Sequence, residues 1–66
     1  MDKFDICVAI ENELKNSEDR VIIVNTPLAE AVAILLEGVY YVSRKEDIII
    51  VSSSEELMKK ELKNYV

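Results

Sequence analysis

The chain has no histidine, no tryptophan and no glutamine, and one cysteine, one glycine and one proline among its 66 residues. Without histidine the commonest general base and metal ligand is missing, and zinc sites built from cysteine and histidine are excluded. No carboxylate spacing matches a calcium loop, and a lone glycine cannot furnish a glycine-rich phosphate cradle. The sequence therefore predicts no catalytic residue set, no cofactor and no metal. Its single thiol, Cys7, cannot close an internal disulfide and suits a reducing compartment. No apolar run approaches the ~20 residues of a membrane-spanning helix. The start, Met1-Asp2-Lys3-Phe4-Asp5, does not lead from a basic stretch into a hydrophobic one, so the expectation is a cytoplasmic protein without membrane contact.

Positive charge is also short. Thirteen acidic residues against eight basic ones leave a net charge of −5, which repels phosphate backbones and removes the main electrostatic contribution to nucleic-acid affinity. Direct nucleic-acid binding is not expected. Such a domain can still be steered towards a basic surface on a protein. The richness in Ile, Val, Glu and Lys fits a thermophile, and an AT-rich genome equally well.

What remains is a folded, apolar chain. Half of the residues are hydrophobic, enough to offset chain entropy, and no repeat or linker divides residues 1–66, which form a single domain. A domain of this size buries only roughly 60% of its unfolded surface, and its stability should be about 3–10 kcal/mol at ~0.05–0.15 kcal/mol per residue.

From Asp2 to Lys15, helical spacing puts Phe4, Cys7, Val8, Ile10 and Leu14 on one broad face, with Asp5, Asn12, Glu13 and Asn16 opposite. A polar turn at 16–19 precedes Arg20-Val21-Ile22-Ile23-Val24-Asn25, a β-branched run without alternation that predicts a strand covered on both faces. Thr26-Pro27 opens a second helix with a hydroxyl at the N-cap and proline at the first helical position. That helix runs to Glu37 and stops at Gly38, the residue best suited to a left-handed cap. Val39 to Ser43 and Ile48 to Val51 are strands joined by the loop Arg44-Lys45-Glu46-Asp47. The last helix begins at Ser53 or Ser54, where Ser53 and Glu56 have capping-box spacing, with Glu55–Lys59 and Glu56–Lys60 as i,i+4 pairs and Leu57, Met58, Leu62 and Tyr65 as its buried stripe. The expected fold is thus a small α/β domain of order α-β-α-β-β-α. Its three-stranded mixed sheet combines one right-handed parallel β-α-β crossover with a hairpin and is packed by helices.

The second helix carries only Glu30 and Glu37 as charges, seven residues apart. So apolar a helix cannot hide its surface within so small a domain, and a protein partner or a homo-oligomer is expected to cover it. The candidate interaction surface comprises Leu28, Val32, Leu35 and Leu36 with Tyr40, Tyr41 and Glu11. Tyr40 and Tyr41 point to opposite faces of their strand, so one belongs to the core and the other is a contact anchor. Glu11 sits among apolar neighbours, either reaching water or pairing with a cation on a partner. Cys7 lies on the apolar face of the first helix, either as a small buried hydrophobe or as a reactive thiol, with Glu11 one turn on disfavouring the thiolate. Thr26 serves as a cap, or with Asn25 and Pro27 as an anion site at a strand-to-helix junction. Arg20, Arg44 and Lys45 are placed to guard sheet edges against unwanted pairing.

The order of elements from Ile6 to Tyr65 resembles the DsrE/DsrH (TusB-type) sulfur-relay family. The likeness is carried by a helix bearing Cys7, the run Ser17-Glu18-Asp19-Arg20-Val21-Ile22-Ile23-Val24-Asn25, an apolar helix, Val39-Tyr40-Tyr41-Val42, and Ile48-Ile49-Ile50-Val51 before a final helix. The resemblance implies a persulfide-handling subunit of an oligomer, with Cys7 as the sulfur-carrying thiol. The chain departs from the family in lacking its first central strand, in having Thr26-Pro27 where a glycine is usual, and in the short Arg44–Asp47 connection. The leading expectation is a non-catalytic protein-interaction module, an accessory subunit or a small regulator or inhibitor. Sulfur relay through Cys7 is the alternative, and an acidic mimic of nucleic acid that blocks a nucleic-acid enzyme is the third.

Overall fold

A computed structural model describes residues 2–65 of the chain. Helix α1 spans Lys3–Asn16, strand β1 Arg20–Val24, helix α2 Pro27–Leu36, strand β2 Tyr41–Lys45, strand β3 Ile48–Ser52 and helix α3 Glu55–Leu62, followed by a 3-10 turn at Lys63–Tyr65. Each helix starts on a side-chain cap: Asp2 accepts from the Phe4 amide at 3.1 Å, Thr26 from Ala29 at 3.1 Å, and Ser54 from Leu57 at 3.5 Å. Ser54, not Ser53, is therefore the cap of α3, and the third helical residue behind it is Leu57, so the expected capping box does not form.

The sheet differs from the expected one. Its order is β1-β3-β2, and both pairings are antiparallel. β1 and β2 run in the same direction on either side of α2, but β3 lies between them instead of at the edge. The reason is burial. Ile49, Ile50, Val51 and Ser52 of β3 are all enclosed, and a strand apolar on both faces gains most at the centre, where layers pack on both sides. β1, expected to be covered on both faces, is an edge strand instead. Register pairs Val21 with Val51 and Val51 with Val42 on one face, and Ile22 with Ile50 and Ile50 with Ser43 on the other.

The first of these faces holds the main core. Cys7, Ile10 and Leu14 of α1 and Ala29, Val32, Ala33 and Leu36 of α2 pack on Ile49 and Val51, with Val21, Ile23, Tyr40 and Val42 at the margin. On the opposite face α3 lies over β2 and β3 and buries Met58 and Glu61. The result is three layers, two helices on one side and one on the other. α3 leaves the β1 part of its face open, with Ile22 43% and Val24 68% exposed.

Two junctions depart from expectation for backbone reasons. The amides of Val39 and Tyr40 both donate to the Leu36 carbonyl, at 3.0 and 2.8 Å, which closes the end of α2 and withholds those residues from the sheet. β2 then begins at Tyr41 and extends through Arg44 and Lys45, leaving only Glu46-Asp47 as the turn. Glu46, the first of the two turn residues, has a positive φ of 55°. Gly38 does not take the left-handed conformation expected of it; that region is occupied by Glu18, Asp19 and Glu46. Ser52, fully buried, ties the base of the molecule together, its hydroxyl 3.0 Å from the Asp19 carbonyl and 3.1 Å from that of Ser54.

Candidate interaction surface

The apolar residues of α2 divide by helical spacing. Ala29, Val32, Ala33 and Leu36 face the sheet, which leaves Pro27, Leu28, Ala31, Ile34 and Leu35 on the outward half. Leu28, Ile34 and Leu35 are exposed, Ile34 by 60%, and Val39 beyond the helix end by 72%. α1 packs alongside α2. It contributes Phe4 and Val8, 60% and 57% exposed, which share a flank at spacings of three and four residues with Glu11. Glu11 accepts a 3.2 Å hydrogen bond from the Tyr40 hydroxyl at the end of α2, which fixes that flank against α2. Burial raises the Tyr40 pKa, and the Glu11 carboxylate adds to the rise.

Charge borders the outward face of α2 on one side only, beside Ile34. Glu30 and Glu37, its only charges, lie on the flank towards β2, where Arg44 claims both: Nε donates to Glu30 at 2.6 Å and Nη2 to Glu37 at 2.8 Å. This fork is possible because Arg44 belongs to β2 and points to the face covered by α2; Arg44 and Lys45 lie on an edge strand, as the sequence suggested, and Arg44 is bound to α2 there. The hydrogen bond from Arg44 holds the Glu30 carboxyl below its ordinary value of 4.5. Depressed in the folded state, Glu30 contributes stability above pH 4.5 and loses it as the pH falls below that value through its folded pKa. Arg44→Met is accordingly expected to lower the melting temperature slightly at neutral pH. Melts repeated at successively more acidic pH should show the gap to wild type closing, and a constant gap would contradict this linkage.

The structure places the sequence-selected residues unevenly. Leu28 and Leu35 are exposed on the α2 patch, whereas Val32 and Leu36 are buried in the core and cannot meet a partner. Tyr40 packs against the core, and Tyr41 is exposed on the α3 side of the sheet, away from the patch. Glu11 is taken by Tyr40 within the chain. Ile34, Val39, Phe4 and Val8 were not selected, although the first lies on the outward stripe that the helical period itself defines. Thr26 acts as the N-cap of α2. Cys7 is buried in the main core between α1 and the sheet. Labelling with a disulfide reagent should therefore run at least about tenfold slower in the folded protein than in urea; equal rates would show an accessible thiol.

Elsewhere, a surface groove at the α1–β1 turn is lined by Glu13, Asn16, Ser17, Glu18, Arg20, Val21 and Ile22. Glu13 is engaged there by the Ser17 hydroxyl at 2.6 Å. Among the described residues no three Cys, Asp or Glu side chains gather closely enough to hold a metal ion, and no helix is long and apolar enough to cross a membrane. Compared with family models, curated proteins and solved structures, the chain matches none of them.

Proposed function

We propose that this chain is a non-catalytic protein-interaction module that works through the outward face of α2 and the adjoining flank of α1. One observation carries the reading: Leu28, Ile34 and Leu35 are exposed on a helix whose only two charges are both held aside by Arg44. An apolar surface kept free of charge in this way gains free energy when another surface excludes water from it. The composition supports the same reading, since histidine, the commonest general base, is absent.

Two further features favour interaction over the alternatives. Cys7 is enclosed by the core, which suits a packing role better than sulfur transfer. The carboxylates of Glu30, Glu37, Glu55 and Glu61 are each paired with an arginine or lysine, a scatter that suits a mimic of nucleic acid poorly. The test is co-purification from the producing cells with wild type and with Ile34→Glu, whose site is exposed and whose folding should be intact. Loss of the bound material on substitution is expected. Identical recovery from both proteins would reject the α2 face as the working surface.

A further inference from the structure

We infer that the occupant of this face is a second copy of the same chain, docked α2 against α2 about a twofold axis. This inference rests on the interaction reading above and adds the identity of the partner.

Area is the first argument. The exposed fractions of Phe4, Val8, Leu28, Ile34, Leu35 and Val39 run from 41% to 72%. Taking on the order of 150–250 Å² for the fully open aromatic Phe4 and somewhat less for each of the five aliphatic residues, those fractions leave roughly 600 Å² across the six residues. That is the top of the ~300–600 Å² range for the largest patch on a monomer. It is also about an eighth of the 4459 Å² surface, close to the ~10% that a small protein commits to an interface. Two copies would enclose about 1,200 Å², the lower limit for a specific interface.

Charge is the second argument. In an isologous interface each residue near the axis meets its own counterpart, so any charge there is opposed by an identical charge. A chain of net charge −5 can self-associate only through a surface that avoids this. The outward face of α2 does: Leu28, Ala31, Ile34 and Leu35 are uncharged, and the flanking Glu30 and Glu37 are turned towards Arg44. Half-buried Ala31, beside Ile34, lets the two helices approach closely.

Sedimentation equilibrium of the full chain over a dilution series tests the inference, with circular dichroism confirming that each variant is folded. Wild type should approach twice the 7.5 kDa chain mass at high concentration and dissociate on dilution. Ile34→Glu should weaken the dimer roughly a hundredfold, because both copies then bring a carboxylate to the axis. Leu28→Glu is the second variant. It places an acid in the first turn of α2, where the helix dipole favours it, and should weaken the dimer with no loss of folding. Ile22→Glu, on the opposite side of the sheet, should leave the dimer intact. A wild type that stays at the chain mass overturns the inference, as does a dimer broken by Ile22→Glu and not by Ile34→Glu. If the monomeric wild type still retains a cellular partner that Ile34→Glu loses, the second-copy inference fails and the interaction reading stands. If no partner is lost either, both fail.

Discussion

Truncating Ile49 to alanine is expected to cost about 3–5 kcal/mol, the upper part of the range for removing a buried aliphatic side chain. Ile49 is fully buried in the middle strand, in the cluster that joins α1 and α2 to the sheet. Its neighbours along the register are Ile23 on β1 and Arg44 on β2, so the side chain is walled in by both edge strands as well as by the helices above. Little can move to fill the hole, because the flanking residues are held by the ladder. Set against a total of about 3–10 kcal/mol for a chain of this length, such a loss leaves the domain marginal or unfolded at room temperature. The melting temperature should fall by roughly 15–30 °C, at ~4–8 °C per kcal/mol for a domain of this size. Val24→Ala is the contrast. That residue is as β-branched as Ile49, but on an edge strand with two thirds of its surface open, and its removal should cost less than about 1 kcal/mol. Urea denaturation at one fixed protein concentration measures both, the fixed concentration being needed because a dimer would add a mass-action contribution. Equal losses at the two positions would mean that β3 is not the centre of the sheet.

That contrast also marks where the sequence stops being informative. Arg20-Val21-Ile22-Ile23-Val24 and Ile48-Ile49-Ile50-Val51 are both unbroken apolar runs, and nothing within either distinguishes a central strand from an edge. The choice is made by non-local packing: β3 is enclosed by α1 and α2 on one face and α3 on the other, while on the α3 side Ile22 and Val24 of β1 stay exposed. The mixed sheet expected from a β-α-β unit fails for the same reason, because it presumes that strands joined by a helix become neighbours. Some signals closed within a few residues survive. Thr26-Pro27 caps α2 as its chemistry requires, Glu55 and Lys59 pair at 3.2 Å, and the termini of α1 and α2 fall within a residue of their expected positions. α3 instead ends at Leu62, which leaves Tyr65 of its expected stripe in the 3-10 turn and, of that stripe, only Met58 buried. β2 is displaced by two residues because the amides of Val39 and Tyr40 are spent on Leu36, a competition that no propensity encodes. On the interaction surface, the excess apolarity of α2 is visible in the sequence, but which of its side chains face outward depends on how the helix is rotated against the sheet. Val32 and Leu36 therefore move from the candidate surface to the core, and Ile34 moves the other way.

Glu61 is the residue the helical period should have flagged. It lies one turn after Leu57 and next to Leu62 on the stripe assigned to the core, and a carboxylate there demands a cation. The cation is Arg20, forty-one positions earlier in the chain, with Nη1 2.8 Å from Glu61 Oε2. Arg20 lies on the edge strand β1, as expected, and its side chain turns to α3. Its guanidinium satisfies a carboxylate whose side chain is 7% exposed, while its own is 41% exposed. This asymmetry sets the energetics. Breaking a fully buried pair by deleting one member costs ~3–5 kcal/mol, and a fully exposed pair contributes ~0–1 kcal/mol. Arg20→Met retains the apolar stem and leaves Glu61 enclosed without a partner, so a loss of about 1–3 kcal/mol is expected, between those limits. Glu61→Leu should cost less, because the Arg20 head group can turn to water when its partner is gone. The double variant Arg20→Met/Glu61→Leu should recover most of the loss seen in Arg20→Met, since no charge then remains enclosed between α3 and the sheet. Denaturant midpoints of the four proteins close the cycle. If Glu61→Leu proves as damaging as Arg20→Met, or the double variant is no better than the single arginine substitution, the carboxylate is not the buried member of the pair and α3 must be anchored chiefly by Met58.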